Sequence, residues 1–440
     1  MNPDEILPTR GSDADATSAR VAPWDVPRTE TKLRALVWIA ALFVAAGVVL
    51  TWTWSSQLRD GNLAIAGDAF YSFAAARSIA WDGDIDLTNQ LMVLGDRWGL
   101  GQAPATDGTR FPVRELGPAL IMVPGLWVHH LLHAPMQDAP RYAAILGSAC
   151  LGLCLLAVGW ALRRACPESP PRARFIAALF PLGFVVPFYS LGHVGYPHAL
   201  DATVCALIFG AVATRRRPAL IGLAIAAGVL VRMQNFLWLL WPLLHCARAP
   251  AGARRRELAR CLTTTCVSLL GLAPQAIMAV AHPGSDIGPI RWGASFFDLH
   301  RVGGDLWTVL AGRHGLWSAT PLAVLASLGL VVAVRAAATP RSDRGLPASP
   351  QVALPAVVVA LAMVTLMATV RDPSGGHAFG ARRLAGLTPI LAFGMLRFLE
   401  RAATLPPSTR RLVEAAVFGL IAINLARTIA AISGALPLAP

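Results

Sequence analysis

Long apolar segments recur along this 440-residue chain and predict its architecture. A helix needs about 20 such residues to cross the hydrocarbon core of a bilayer. Helices are favoured there because they satisfy their own backbone hydrogen bonds within lipid. We therefore predict an all-α, polytopic transmembrane helical bundle with about 9–11 spans. The clear spans are 33–54, 141–163, 173–191, 197–214, 260–281, 317–336, 351–370, 381–399 and 411–432.

A further apolar segment, residues 219–246, is interrupted near its centre by polar side chains. Arg215 to Arg217 precede it and Arg248 follows it, so both of its ends are expected on the cytoplasmic side. This pattern favours two short helices that meet at a polar tip containing Arg232. Whether that tip crosses the membrane stays open.

The apolar residues 116–133 have two competing topologies. If they spanned the membrane, Arg163 to Arg174 would lie outside, against the preference of arginine for cytoplasmic loops. We therefore favour a half-inserted or interfacial helix, with His129, His130 and His133 near the headgroups.

Composition excludes a soluble globular protein. Only 14% of the residues are charged and the mean hydropathy is +0.54, whereas a soluble chain carries roughly a quarter charged residues. The net charge of +13 does not predict nucleic-acid binding, because the arginines cluster as short caps between apolar runs, which is typical of cytoplasmic loops. The expected location is a bacterial inner membrane, multi-pass.

The first 31 residues are polar and contain no leading apolar run. We predict a disordered cytoplasmic tail over 1–31 and a transmembrane domain over 32–440. Lys32 and Arg34 lie just before the first span, which predicts a cytoplasmic N-terminus.

The long first loop, residues 55–115, is predicted to be extracytoplasmic and carries a large share of the acidic residues. Eight of the 25 acids lie there: Asp60, Asp68, Asp82, Asp84, Asp86, Asp96, Asp107 and Glu115. Phe70, Phe73, Arg77 and Trp81 recur at helical spacing, which predicts a short amphipathic helix on the membrane surface. Asp68 at its start has two interpretations, a helix N-cap or a general base for an acceptor hydroxyl.

Alternating acids from Asp82 to Asp86 resemble a calcium-binding loop only superficially. An EF-hand needs glycine at its sixth position and glutamate at its twelfth, and Leu87 and Val93 stand there instead. A tight polar turn is the favoured interpretation, although Asp84 or Asp86 can orient a substrate.

Several arginines lie in or beside apolar segments, away from the cytoplasmic clusters. Such positions are costly unless the charge is paired or functional. Guanidinium groups bind phosphate oxygens in bidentate geometry, so an outward-facing set suits a phosphate joined to a lipid tail; pairing with the loop acids is the alternative. The set is Arg114, Arg232, Arg291, Arg313, Arg371, Arg382 and Arg383.

Short motifs follow one another through most of the chain. They are Gly67-Asp68 with Tyr71 and Arg77, Gly83 to Asn89, Phe111-Pro112 through Glu115 to Gly117-Pro118, Tyr196-Pro197-His198, Val231-Arg232-Met233-Gln234-Asn235, Arg313-His314-Gly315-Leu316-Trp317, and Ser374 through His377 and Phe379 to Arg383. In this order they resemble the GT-C superfamily of membrane glycosyltransferases, of the dolichyl-phosphate-mannose-protein mannosyltransferase or aminoarabinose transferase type. Tyr196-Pro197-His198 departs from the Tyr-Ser-His expected in close relatives.

The resemblance implies a sugar donor linked to polyprenyl phosphate and a glycan, lipid or protein acceptor at the outer face of the bilayer. It implies that Asp68 is the catalytic base and that Arg232, Arg382, Arg383 and Arg313 bind the donor phosphate. The other motif residues are candidates for substrate binding: Tyr71, Arg77, Asp84, Asp86, Arg114, Glu115, His198, Gln234, Asn235, His314 and His377. No metal ligands or cofactor are predicted, although a divalent cation can replace the arginines in neutralising the leaving phosphate.

The predicted reaction is an inverting sugar transfer, and three rivals remain. A lipid or sugar transporter or flippase explains polar residues within spans. It does not explain the long acid-rich first loop, and the repeat between halves that transporters often show is missing from the sequence. A ligase-like transferase that uses diphosphate lipids would carry its large loop late in the chain, whereas the longest predicted outer loop here comes first. The third rival is a non-catalytic assembly partner that kept the fold.

Overall fold

The computed structural model describes residues 25–54, 67–96, 108–112, 115–281, 297–338, 350–370 and 379–433. Within these ranges the chain is helical, apart from connections and one isolated antiparallel bridge between Phe297 and Val370. The all-α prediction is confirmed.

Eighteen α-helices are assigned in the described ranges. The first nine are α1 (Asp25–Trp54), α2 (Asp68–Arg77), α3 (Thr88–Leu94), α4 (Gly117–Leu131), α5 (Ala139–Ala165), α6 (Pro171–Ala178), α7 (Val186–Leu191), α8 (Pro197–Ala213) and α9 (Pro218–Val231). The others are α10 (Leu240–Ala247), α11 (Ala251–Ser268), α12 (Ala273–Ala281), α13 (Val302–Ala311), α14 (Leu316–Ala319), α15 (Pro321–Ala338), α16 (Pro350–Ala368), α17 (Thr388–Ala402) and α18 (Pro407–Ile432). Because α1 begins at Asp25, the predicted tail is helical from that residue onward.

Six helical stretches in the described ranges are long and apolar enough to cross a bilayer: Thr31–Thr53, Ala139–Ala165, Ala251–Met278, Pro321–Ala338, Gln351–Ala368 and Pro407–Ile432. Two shorter apolar helices, α8 and α9, lie among them. The predicted span 173–191 is broken by a 3₁₀ segment, Phe180–Gly183, which contains Pro181 and so lacks one backbone donor. The predicted span 381–399 likewise begins with a 3₁₀ segment, Arg382–Leu387.

The interrupted segment 219–246 folds as its polar centre predicts. Helix α9 ends at Val231, Arg232 is extended (φ −154°, ψ 125°), and a 3₁₀ segment, Met233–Leu239, leads into α10. The confirmed break therefore places Arg232 at the junction of two short helices.

Helix α4 packs more intimately against its neighbours than an interfacial helix would. A Cβ on Gly125 would lie 1.9 Å from the carbonyl oxygen of Tyr142 in α5. The imidazole of His129 is buried, with its Nε2 3.1 Å from the Pro135 carbonyl oxygen. His129 therefore does not face the headgroups as predicted, whereas His130 and His133 are exposed.

Helix α2 forms where the sequence predicts a helix, but its surroundings differ from the prediction. Every residue from 69 to 77 is buried, packed by α4 and a second hydrophobic cluster that includes Leu87 and Leu126. An amphipathic helix on the membrane surface would leave one face exposed. Helix α2 is instead a core element, because its many alanines and aromatic rings are apolar on all sides.

The two ends of the bundle differ in charge. Helices α1 and α5 run antiparallel, with Leu36 of α1 against Gly159 and the Ser148 carbonyl against Gly47. At the end where α1 begins, Arg172 pairs with Glu414 and Arg215 with Glu257, while Trp160 packs on Gly210. The arginine clusters that are predicted to be cytoplasmic lie at this end, which is called the basic end below. The opposite end, where α2 and α8 begin, is called the site end below.

Candidate active site

Asp68 is the first residue of α2 and not its cap. Gly67 precedes it as the N-cap, with a left-handed φ of +55°. A Cβ on Gly67 would lie only 2.8 Å from the Tyr196 hydroxyl, so glycine lets the start of α2 approach the segment before α8. The backbone thus holds Asp68, which is partly exposed, one residue from the contact with Tyr196.

Arg382 brings a positive charge to the same place. Its guanidinium carbon lies 5.6 Å from the centre of the Tyr196 ring. The start of α2 meets the hydroxyl of the same tyrosine through Gly67. The structure therefore places the start of α2 and Arg382 at the same tyrosine, although they lie far apart in sequence.

Arg232 forms the second part of the site. Its Nη1 lies 3.3 Å from Nδ1 of His198 and donates to the carbonyl oxygen of Arg383 at 3.2 Å. The Gln234 amide donates to the same carbonyl at 3.1 Å. The break after α9 is thereby joined to the 3₁₀ segment Arg382–Leu387, and Arg232, His198, Gln234 and Arg383 come together as the motif order implied.

Beneath Arg232 lies Asp201, which the sequence analysis missed. Its carboxylate is completely buried, 3.8 Å from Nη1 of Arg232, and accepts a 2.7 Å hydrogen bond from the Asn235 amide. A Cβ on Gly386 would lie 3.2 Å from Oδ2 of Asp201, so the 3₁₀ segment passes directly over it. A signal was present: Asp201 is the sole acid in the predicted span 197–214, and acids within spans are costly unless paired.

Glu115 contacts the segment that follows Arg232. Its Oε1 accepts a hydrogen bond from the backbone N–H of Met233 at 3.1 Å. This N–H opens the 3₁₀ segment Met233–Leu239 and has no partner within it. Glu115 therefore supports the turn that carries Arg232.

Aromatic rings form one wall of the site. Phe188 stacks on His193 with centroids 4.7 Å apart and on Phe379 at 4.5 Å. The Tyr189 hydroxyl accepts a hydrogen bond from the backbone N–H of Phe379. Burial, together with the charge of Arg382, lowers the pKa of His193 to about 4, so this imidazole is neutral near pH 7.

The other candidate residues of the first loop lie in a separate packing unit. Tyr71 is buried and donates to Asp96, and Arg77 is buried with its guanidinium carbon 4.4 Å from the Trp81 ring centre. Asp86 accepts hydrogen bonds from the N–H groups of Thr88 and Arg110 at 2.9 and 3.0 Å.

The polar turn predicted around Asp84 is present. The Asp84 carboxylate accepts from Ser78 and from the backbone N–H of Asp86. Within the described ranges, these contacts engage both acids inside the loop. Their proposed role in orienting a substrate stays a prediction.

Arg313 is not joined to this arrangement by any contact between described residues. Arg313 is exposed in the connection between α13 and α14, with His314 next to it, and no contact between described residues links Arg313 to Arg232 or Arg382. Arg114 and His377 lie outside the described residues. In the described ranges no group of three or more His, Cys, Asp or Glu side chains is arranged to hold a metal ion.

Comparison with known proteins identifies the fold. No family model and no curated protein matches the chain. Two solved structures match, both of the oligosaccharyltransferase of Archaeoglobus fulgidus, one in the apo form and one of AglB in complex with an inhibitory peptide and a dolichol-phosphate. Each has a TM-score of 0.56 and covers 92% of this chain, at 15% and 13% identity. The chain spans about half of their length, 55% and 56%.

The likeness confirms the GT-C type of fold implied by the ordered motifs. At these identities it shows the fold alone. The class defined so far is therefore a polytopic helical protein with the fold of the Archaeoglobus fulgidus oligosaccharyltransferase.

Proposed function

We propose that the protein is a membrane glycosyltransferase that moves a sugar from a polyprenyl-phosphate-linked donor to an acceptor hydroxyl of a glycan, lipid or protein. The observation that carries this proposal is that the start of α2, which bears Asp68, and the Arg382 guanidinium both lie against Tyr196 at the site end. A base and an anion-binding group side by side are what transfer from a phosphate leaving group requires.

The solved relative adds support from its ligand. AglB binds dolichol-phosphate, a phosphate on a long isoprenoid tail. In this chain Arg382 and Arg232 lie at the site end of an apolar bundle, where a lipid-borne phosphate can reach them from the membrane. Bidentate pairing of guanidinium with phosphate oxygens would hold the donor.

In the proposed reaction, the acceptor oxygen attacks the anomeric carbon while Asp68 takes the hydroxyl proton. The new C–O glycosidic bond forms as the bond from the anomeric carbon to the phosphate oxygen breaks, with inversion in a single displacement. The electron pair leaves on the polyprenyl phosphate, whose charge is stabilised by Arg382 and Arg232. The Asp201 carboxylate partly neutralises Arg232 while the donor site is empty.

A lipid or sugar flippase is the alternative function. It requires an anion-binding site but no base. Helix α2, which is buried from residue 69 to 77 and carries Asp68 at its first position, is better explained by a fixed catalytic group than by a moving gate.

The test is sugar transfer by the purified protein in detergent, using radiolabelled polyprenyl-phosphate sugars and following label released from the lipid. Asp68→Asn is expected to abolish release while retaining donor binding and the melting temperature. Asp138→Asn is the matched control, because among the described residues the Asp138 carboxylate pairs with the neighbouring Arg141 at 3.0 Å, and it should retain activity. Turnover retained in Asp68→Asn would remove the base assignment, and donor movement without bond cleavage would favour the flippase.

A further inference from the structure

A cavity lies at the basic end, away from the proposed active site. It has a volume of about 280 Å³ and is bounded by the α8–α9 connection, α10, α11 and the start of α16. Half of the ten lining residues are apolar, among them Leu244 and Pro355, and the others are polar or charged. Such a mixed lining suits an amphiphile with an anionic head.

The charge around the cavity is positive. Arg215, Arg248 and Arg260 all lie within electrostatic range of His245 in its wall, together with one acid, Glu257. Arg215 donates to Glu257 at 2.5 Å, and Arg260 lies 3.9 Å from the same carboxylate. Two guanidinium groups therefore contact the one carboxylate, and with Arg248 the three arginines and one glutamate leave a net charge of +2.

Arg248 contributes a guanidinium group that is available to a ligand. It is exposed at the end of α10, and within the described ranges its guanidinium makes no hydrogen bond or ion pair. His245 adds a donor. The Trp241 indole N–H donates to Nε2 of His245 at 3.1 Å, and since an indole only donates, the neutral imidazole carries its proton on Nδ1.

We propose that this cavity binds a phosphate group, with Arg248 and the Nδ1–H of His245 as its donors and Arg215 as a positive wall. The apolar lining favours the headgroup of an anionic phospholipid over free phosphate. Basic pockets between helices at the cytoplasmic surface bind such headgroups. This site is independent of the glycosyltransferase proposal, because none of its residues belongs to the candidate active site.

The experiment is native mass spectrometry of the purified protein with dioleoylphosphatidylglycerol or dioleoylphosphatidylcholine, with and without inorganic phosphate. Arg248→Gln is expected to weaken retention of the anionic lipid roughly fivefold, the effect of one arginine near a membrane surface. Arg255→Gln is the matched control, because Arg255 is an exposed arginine on α11 at the same end that does not line the cavity.

The arms of the experiment separate the sources of the phosphate. Retention that depends on Arg248 and survives millimolar phosphate identifies a lipid headgroup, and retention displaced by phosphate identifies the free ion. Equal losses in Arg248→Gln and Arg255→Gln, or no preference for the anionic lipid, would overturn the proposal. Arg248→Glu provides a second variant, expected to lose binding further without disturbing the pair of Arg215 with Glu257.

Discussion

Nη1 of Arg232 lies 3.8 Å from Oδ2 of Asp201, and that carboxylate has no exposed surface. The pair joins α8 to the break at the end of α9. A buried carboxylate is costly unless a cation or hydrogen bonds compensate it. The helix break at Arg232 and the buried Asp201 therefore stabilise each other.

Replacing Asp201 with asparagine should destabilise the protein. The amide cannot neutralise Arg232, whose side chain is 15% exposed, and loss of one member of a buried pair costs about 3 kcal/mol. The melting temperature in detergent should fall, and added polyprenyl phosphate should restore it more than in the wild type, because the phosphate supplies the missing negative charge. Asp305→Asn, in a pair with the exposed Arg301, should change stability by less than about 1 kcal/mol.

Replacing Arg382 with lysine should impair the reaction more than the fold. Lysine keeps the charge but loses the planar fork that pairs with two phosphate oxygens. A lost hydrogen bond to a charged group costs about 1.5–3 kcal/mol, which corresponds to roughly a 10–100-fold fall in kcat/KM. Steady-state kinetics with a polyprenyl-phosphate sugar provide the measurement. An unchanged kcat/KM would exclude Arg382 from the donor site.

Gly67→Ala should disturb the position of Asp68. The new Cβ would meet the Tyr196 hydroxyl at 2.8 Å, at a backbone φ of +55°. Gly83→Ala is the matched control, since its φ is +75° but nothing lies within 4 Å of a Cβ there. Gly83→Ala carries left-handed backbone strain of about 1 kcal/mol, Gly67→Ala carries more because its ψ is −125°, and only Gly67→Ala should also lose activity. Equal activities would show that the contact with Tyr196 does not position the carboxylate.

The stability of the site end should depend on pH through His193. Its folded pKa of about 4 lies below the unfolded value of about 6.5, so the unfolded chain binds the proton more readily. The contribution is complete above pH 6.5 and is lost as the pH falls towards 4, by at most about 3 kcal/mol. Melting temperatures at pH 7, 5.5 and 4.5 should show a smaller decline in His193→Phe than in the wild type, whereas His130→Gln should leave the decline unchanged.

The orientation in the membrane follows from the separation of the two ends. If the basic end is cytoplasmic, a cysteine introduced at Asp138 should react with a membrane-impermeant maleimide in intact cells, and one introduced at Arg255 should react only after lysis. The seven native cysteines are replaced first. The opposite labelling pattern would place the candidate site on the cytoplasmic side.

The sequence predicts the fold class and the helix break at Arg232 because both depend on local hydrophobicity and on one polar interruption. The contacts of Arg232 with His198 and with the Arg383 carbonyl join positions 34 and 151 residues apart, so no local pattern could predict them.

Burial was harder to predict. Helix α2 has the spacing of an amphipathic helix, yet residues 69 to 77 are all buried, because α4 covers the face expected to meet lipid. Asp201 was missed for a related reason: one acid in an apolar span does not reveal its partner until α8 and α9 are packed together.

The burial of α2 also limits how the protein can move. Swinging this helix outward into water would expose Phe70, Tyr71 and Phe73, at about 1.5–3 kcal/mol for each ring. The three rings together make such an opening rare. Substrates are therefore expected to enter and leave by rearrangement of other segments around a stationary Asp68, so that the carboxylate acts as the fixed reference point of the turnover cycle.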